Sequence, residues 1–358
     1  MKYSHGGNIR KAAENYGIDE SAIIDFSANI NPLGLSPMAR EAISAAMGTI
    51  INYPDPKSSC LVKALSQYHS LPSENILTGN GATELIFLIP RALKFKSALI
   101  IAPAFSEYER ALTLSDCKVE HFFVTPEKDF MLNLSDLFAA MEKGHDSLWL
   151  GNPANPAGTL ISKKDIIIIG EKSAELGITL IVDEAFIDFC EEASVKNEIL
   201  NFSNLIVLRS MTKFFALAGL RAGYLFAHNR IISQLGTYKE PWTLNSLSEA
   251  AAVASLSDHD YKNETLALIE RERNFLKEEL GKIDSLYLYD SFANYLLIGL
   301  AEGARSEYLE NKLLRKNRIL VRDCSNYRGL SNRFIRVAVK GRADNRSLAD
   351  AFAGLFRD

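Results

Sequence analysis

Four short apolar runs alternate with longer amphipathic stretches through the middle of the chain. The runs ALIIAP, SLWLGNP, ITLIVDEAF and LIVLRS begin at residues 98, 147, 178 and 205, and turn residues bound each of them. Residues 84–94 precede the first run, residues 106–115 and 163–175 lie between runs, and all three stretches show helical spacing. Runs without polar alternation are typical of strands buried on both faces. The pattern therefore predicts parallel βαβ units, clearest between residues 75 and 225.

The flanks follow a different pattern. Residues 245–280 contain no Gly or Pro and predict one long helix. Residues 285–358 mix helices with short strands such as YLLIGL and FIRVAV. We therefore expect an α/β fold with two domains. A large α/β domain with a mainly parallel sheet would span residues 46–258. A small α+β domain would combine residues 259–358 with the N-terminal segment 1–45.

Composition excludes several classes of function. The 358 residues include 40 Lys and Arg against 44 Asp and Glu, a net charge of −4, which offers no basic surface for nucleic acid or anionic membranes. The four cysteines form no CxxC pair, so no metal site is expected. No apolar run is long enough to span a membrane, and the first residues lack the apolar stretch of a signal peptide. We expect a soluble, cytoplasmic protein.

A lysine follows the last apolar run of the α/β region. In RSMTKFFALAGLRAGY, Lys213 lies between hydroxyl residues and two phenylalanines. Burial lowers the pKa of an amine and makes it nucleophilic or able to form a Schiff base. Ser210, Thr212 and Arg221 would together bind one phosphate. Taken alone, the pattern also fits a surface lysine.

Polar residues also end other strands. Asp183 follows an apolar strand, where the ligand crevice of an open α/β sheet lies, and it could pair with a protonated pyridine nitrogen. Its neighbour Glu184 is expected to be a solvated acid or a group supporting the site. Asn155, fixed by Pro156, could donate to a phenolate oxygen. Each could instead belong to an ordinary loop.

The segment TGNGATEL is a fourth candidate. It places Gly81, Ala82 and Thr83 at the start of a helix, where backbone N–H groups favour a phosphate. It has neither P-loop nor GxGxxG spacing, so a plain strand–helix turn explains it equally well.

In their order along the chain, the motifs GNGATE, GNPANPAG, DEAF and SMTKFFALAGLRAGY resemble those of the fold-type-I pyridoxal phosphate enzymes, near the histidinol-phosphate aminotransferase branch. This resemblance implies pyridoxal 5′-phosphate as cofactor and Lys213 as the residue bound to it covalently. It implies Asp183 as the partner of the ring nitrogen, Asn155 as the donor to O3′, and Tyr108 as the aromatic stacked on the ring. Gly81, Ala82, Thr83, Ser210, Thr212 and Arg221 would form the phosphate cup. Tyr53 is similar to a tyrosine that reaches the neighbouring subunit's cofactor, which implies a homodimer.

One position departs from the aminotransferases. They usually carry a tyrosine where Phe186 stands, and phenylalanine has no hydroxyl for O3′. Other segments, among them HGGN at residues 5–8, DFSANINPLG at 25–34 and DCSNYRGL at 323–330, resemble the threonine-phosphate decarboxylase family. That resemblance implies decarboxylation of L-threonine O-3-phosphate to (R)-1-amino-2-propanol O-2-phosphate in cobalamin biosynthesis.

The substrate's phosphate and carboxylate require cations and donors. The candidates are His5, Asn31, Arg322 and Arg336, and the sequence does not divide the two anions between the two arginines. Decarboxylation of L-serine phosphate, aminotransfer to or from a histidinol-phosphate-like substrate, and a non-catalytic cofactor-binding protein remain as alternatives.

Overall fold

The computed structural model describes residues 5–356. Its helices are α1 Ile9–Tyr16, α2 Pro37–Ala46, α3 Ser59–His69, α4 Gly81–Leu93, α5 Ser106–Thr113, α6 Leu134–Met141, α7 Lys163–Glu175, α8 Asn229–Tyr238, α9 Ser246–Ser257, α10 His259–Leu280, α11 Ser306–Asn317 and α12 Arg342–Leu355. Its strands are β1 Ile24–Asp25, β2 Ile76–Asn80, β3 Ser97–Ala102, β4 Lys118–Phe123, β5 Ser147–Gly151, β6 Thr179–Asp183, β7 Leu205–Ser210, β8 Ala222–Ala227, β9 Leu286–Leu288, β10 Tyr295–Leu300, β11 Ile319–Leu320, β12 Arg322–Asp323 and β13 Phe334–Ala338. The predicted apolar runs therefore form β3, β5, β6 and β7.

A seven-stranded sheet forms the centre of the fold. Its strand order is β2-β8-β7-β6-β5-β3-β4. β8 runs antiparallel to its two neighbours, β2 and β7, and the other adjacent strands pair in parallel. Separate apolar clusters cover its two faces, because adjacent residues such as Leu148 and Trp149 point to opposite sides. The mainly parallel α/β architecture is confirmed.

The C-terminal part builds a second, four-stranded sheet in the order β12-β13-β10-β9. Its apolar face packs with α10, α11 and α12 in a core of its own, which includes Phe26 from the N-terminal segment. β1 pairs in parallel with β11, which places residues 24–25 beside this region.

The region predicted as one long helix contains two. Asp258 interrupts it with φ −84° and ψ 82°, and its carboxylate accepts a hydrogen bond from Tyr261 N. This N-cap starts α10 afresh, so the absence of Gly and Pro did not guarantee continuity. α2, which crosses the expected boundary at residues 45–46, packs against α9 beside the large sheet. The division into domains stays a prediction.

No helix within residues 5–356 combines the length and apolar composition needed to cross a membrane.

Candidate active site

A cavity of about 440 Å³ opens where the parallel strands β5, β6 and β7 end. Asp183, the last residue of β6, lines it together with Asn155 and Lys213 from the loops that follow β5 and β7. Of the residues predicted from sequence, the following line it: His5, Ala82, Thr83, Tyr108, Asn155, Asp183, Ser210, Thr212, Lys213, Arg221, Arg322 and Arg336. Residues that are distant in sequence meet here because parallel strands deliver their carboxyl ends to one edge.

Hydroxyl and guanidinium groups meet the start of α4 on one side of the cavity. Ser210 Oγ lies 2.7 Å from Thr212 Oγ1. Gly81 has φ +76°, and a Cβ there would lie 2.6 Å from Arg221 Nη2. Glycine therefore allows the arginine to approach the helix start, where free N–H groups favour an anion. This arrangement fits the predicted phosphate cup.

Lys213 is half-buried in the cavity wall, and its amine has no hydrogen-bond or ion-pair partner among the described residues. Burial, together with the nearby cations Arg336 and Arg221, lowers the pKa of Lys213 to about 8. An amine with this pKa is neutral in about one tenth of the molecules at pH 7. Only the neutral form is a nucleophile for an aldehyde.

Asn31 supports the lysine loop from behind the cavity. Its backbone N–H donates to Lys213 O at 3.1 Å, and its Nδ2 donates to Phe214 O at 2.8 Å. Nδ2 also contacts Tyr261 Oη and Thr265 Oγ1, while Leu33 N donates to its Oδ1. The structure therefore does not support Asn31 as a substrate ligand, because internal partners occupy its amide.

Asp183 is buried at the end of β6. Tyr108 Oη donates to its Oδ2 at 2.6 Å, and Ala185 N donates to its Oδ1 at 2.9 Å. Burial is the main cause of the raised pKa of Asp183. No cationic side chain pairs with this carboxylate among the residues described, so a protonated ring nitrogen would supply the missing positive charge.

Asn155 and Arg336 lie together on the opposite side. Asn155 Oδ1 accepts hydrogen bonds from Arg336 Nη1 and from Tyr327 Oη, which leaves its Nδ2 as the donor for a ligand. Arg336 Nη2 donates to Ser27 O at 3.0 Å. Arg336 Nε is buried without a hydrogen-bond partner, and an anionic ligand would satisfy it.

The mouth of the cavity carries further charges. Arg322 Nη2 donates to Asn326 Oδ1 at 2.7 Å, and the Arg322 guanidinium lies 5.4 Å from the Tyr327 ring centre. His5 Nε2 lies 2.9 Å from Glu107 Oε1. Sequence reasoning did not select Glu107, although it directly precedes Tyr108. The sequence does contain an indication of it, because Glu107 is a carboxylate in the first turn of a helix that begins just after the carboxyl end of a strand.

Three predicted residues lie outside the cavity wall: Asn31, which holds the lysine loop from behind, Gly81 and Tyr53. Gly81 acts through Arg221, as described above. Tyr53 is 84% exposed and packs its ring 5.1 Å from that of Trp242. A contact of Tyr53 with a second subunit's cofactor stays a prediction.

A buried ionic cluster lies directly behind the site. Arg209, fully buried beside Ser210, pairs with Glu184 at 2.9 Å, Asp188 at 3.2 Å and Glu191 at 2.8 Å. Glu184 is itself fully buried, so the expectation of a solvated acid was wrong and that of a supporting group fits. The cluster ties β6 to β7 at the level where Asp183 and Ser210 enter the cavity.

The residues present fit pyridoxal 5′-phosphate: a phosphate cup, an unpaired amine in the cavity wall, an uncompensated buried carboxylate and a free amide donor. By contrast, the described residues hold no group of three or more His, Cys, Asp or Glu side chains placed to bind a metal ion.

Comparison with known proteins agrees with this chemistry. The family model "Aminotransferase class I and II" matches residues 21–352. The chain belongs to this family. Class I and II aminotransferases and their relatives depend on pyridoxal 5′-phosphate, the cofactor expected from the motifs.

Three similar proteins include both kinds of enzyme that the sequence left as alternatives, a decarboxylase and aminotransferases. Threonine-phosphate decarboxylase from Salmonella typhimurium is 36% identical over 350 residues, covering 97% of this chain and 95% of that protein. Histidinol-phosphate aminotransferase from Methanococcoides burtonii is 32% identical over 357 residues, covering 99% and 96%. The crystal structure of histidinol-phosphate aminotransferase from Clostridium acetobutylicum superposes with a TM-score of 0.87 at 33% identity, covering 93% and 98%.

Proposed function

We propose that this protein decarboxylates L-threonine O-3-phosphate to (R)-1-amino-2-propanol O-2-phosphate, the reaction of cobalamin biosynthesis implied by the sequence. The observation that supports this most strongly is a cavity lined, beyond the cup's Arg221, by three arginines and a histidine, of which Arg110 pairs with Glu107. Arg322, Arg336 and His5 line it together, and Arg336 Nε has no partner. A substrate with a carboxylate and a phosphate supplies two anions for this side of the cavity.

Phe186 favours decarboxylation over aminotransfer. Its ring lines the cavity and packs against Tyr295 at 5.0 Å between centroids, so an apolar edge occupies the position where aminotransferases of this branch carry a hydroxyl. The 36% identity to the Salmonella decarboxylase supports the same choice.

The bound cofactor would act as an electron sink for the bond that breaks at the substrate's Cα. The protein's cationic side chains would decide which bond breaks, through the direction in which they hold the substrate's carboxylate relative to the ring. Orientation of this kind is worth about 7–11 kcal/mol in favourable intramolecular reactions. With the carboxylate held perpendicular to the ring by a cationic side chain, the Cα–carboxylate bond breaks, its electron pair stays with Cα, and CO₂ leaves.

Lys213 would then complete the reaction. Its Nζ delivers a proton to Cα and regains one from solvent. A pKa of about 8 suits this work, because both protonation states are populated near neutral pH. Asp183 would hold the ring nitrogen of the cofactor and favour its protonated form, and Asn155 Nδ2 would be the donor available to the phenolate oxygen.

The test is CO₂ release from L-threonine O-3-phosphate by the cofactor-loaded protein without any 2-oxo acid. We expect sustained release under these conditions and no increase when 2-oxoglutarate is added. L-serine phosphate should be tested in parallel, because one methyl group provides only about 10- to 200-fold discrimination. Absence of CO₂ would contradict the proposal.

A histidinol-phosphate aminotransferase is the second candidate, favoured by the 32% and 33% identities to two such enzymes. In that case the amine of histidinol phosphate would be transferred to 2-oxoglutarate and no CO₂ would appear.

We further propose a homodimer formed through the surface around Tyr53. Met47, Ile50, Ile51, Tyr53 and Trp242 expose apolar side chains in this region, and a surface of this kind marks an interaction site. Sedimentation velocity should show a dimer, and a monomer at micromolar concentration would contradict the proposal.

A further inference from the structure

A buried carboxylate faces the cavity although both the cofactor and the proposed substrate are anionic. Glu107 lies in the first turn of α5, is 3% exposed and lines the cavity beside Tyr108. Its Oε2 accepts from Arg110 Nη1 at 3.2 Å, and its Oε1 lies 2.9 Å from His5 Nε2. A carboxylate without partners would repel an anionic substrate here. We therefore expect the effect of Glu107 on the site to come from the two side chains that it contacts, His5 and Arg110.

The segment that carries His5 is held firmly in place. Gly7 N donates to Ser27 Oγ at 2.7 Å. A Cβ at Gly6 would lie 2.1 Å from Ser27 O, so only glycine permits this approach. Ser27 O also accepts from Arg336 Nη2. The imidazole is therefore fixed relative to the arginine that is expected to bind substrate.

The ring of His5 is held on two sides. Its centroid lies 5.6 Å from that of Phe105, the residue immediately before α5, and its Nε2 faces Glu107. An ionised carboxylate only accepts hydrogen bonds, so Nε2 carries the proton in this pair. Nδ1 has no partner within residues 5–356 and is the ring atom left for a ligand.

We propose that Glu107 is a positioning residue for a substrate phosphate, acting through His5. A phosphate oxygen needs a donor, so Nδ1 must also carry a proton when it binds one, and the ring is then an imidazolium. The Glu107 carboxylate stabilises that cation and orients Nδ1–H towards the phosphate. This inference rests on the proposed function only in assuming a phosphorylated substrate.

The experiment compares the affinity for L-threonine O-3-phosphate with that for L-threonine. Each is mixed with the cofactor-loaded protein in a stopped-flow instrument over a range of concentrations, and the change in the visible absorbance of the cofactor before turnover reports binding. The variants are Glu107→Gln, His5→Gln and the double variant. Glu109→Gln is the matched control, because Glu109 lies on the same helix but pairs with Arg328 outside the cavity.

We expect Glu107→Gln and His5→Gln each to weaken binding of the phosphate ester about tenfold, the worth of one charge-assisted hydrogen bond. The double variant should lose no more than either single variant, because both act on one contact. Affinity for L-threonine should stay within about twofold, and Glu109→Gln should match the unmodified protein.

Several results would overturn the inference. They are equal binding of the two ligands by the unmodified protein, equal weakening of both ligands by Glu107→Gln, an unchanged ester affinity in His5→Gln, and losses that multiply in the double variant. His5 is half-exposed, so its variant should fold even if Glu107→Gln does not. A phosphate preference without CO₂ release would refute decarboxylation and leave the role of Glu107 supported.

Discussion

The lowered pKa of Lys213 makes a quantitative prediction about how fast the cofactor attaches. With a pKa of about 8, about one tenth of Lys213 is neutral at pH 7 and about nine tenths at pH 9. An ordinary lysine with a pKa near 10.4 would be neutral in only about 0.04% of molecules at pH 7 and about 4% at pH 9. The sign follows from burial, which disfavours the charged amine.

The rate of attachment should therefore rise about tenfold between pH 7 and pH 9 and level off above. The assay mixes apoprotein with excess pyridoxal 5′-phosphate and follows the visible absorbance of the attached cofactor. The same reaction with Nα-acetyl-lysine corrects for titration of the cofactor itself, and Lys213→Ala should give no such absorbance. A hundredfold rise over the same interval, continuing to pH 10, would refute the reasoning.

Three substitutions test other parts of the site. Phe186→Tyr should retain the cofactor and raise the share of aminotransfer, measured as amine transferred per CO₂ released; complete loss of cofactor binding would contradict the cavity described here. Gly81→Ala should weaken cofactor affinity about tenfold or more in equilibrium titration, because its Cβ displaces the cup's arginine. Gly177→Ala is the matched control, because Gly177 has φ +70° but open space around it. This variant carries similar backbone strain and should leave cofactor affinity unchanged. Arg209→Met should cost about 3–5 kcal/mol in the free energy of unfolding, because it strands buried carboxylates, whereas the exposed Arg91→Met should cost about 1 kcal/mol or less. Equal urea midpoints for these last two variants would contradict the burial argument.

The pattern of apolar runs along the chain predicted the strands whose ends hold the site residues. Buried strands read as continuous apolar runs, and the residues that follow β6 and β7 meet because parallel strands end at one edge. This logic placed Asp183, Lys213 and Asn155 in one cavity. It also led from ordered motifs to a family that the comparison confirms.

The sequence did not predict which residues of distant segments contact each other. Asn31 is a short polar residue in a turn, and nothing local indicates that Tyr261 and Thr265 on α10 occupy its amide. Glu184 appeared solvated because its counter-ion, Arg209, comes from a different strand. Glu107 acquires a role only where the N-terminal segment folds over α5.

The most direct test of the account is to run the reaction with L-threonine O-3-phosphate in D₂O and analyse Cα by mass spectrometry and NMR. If the bond to the carboxylate breaks, CO₂ is released and the product carries one deuterium at Cα, delivered by Lys213. If the bond to hydrogen breaks instead, the substrate keeps its carboxylate and acquires deuterium at Cα without CO₂, which would contradict the account.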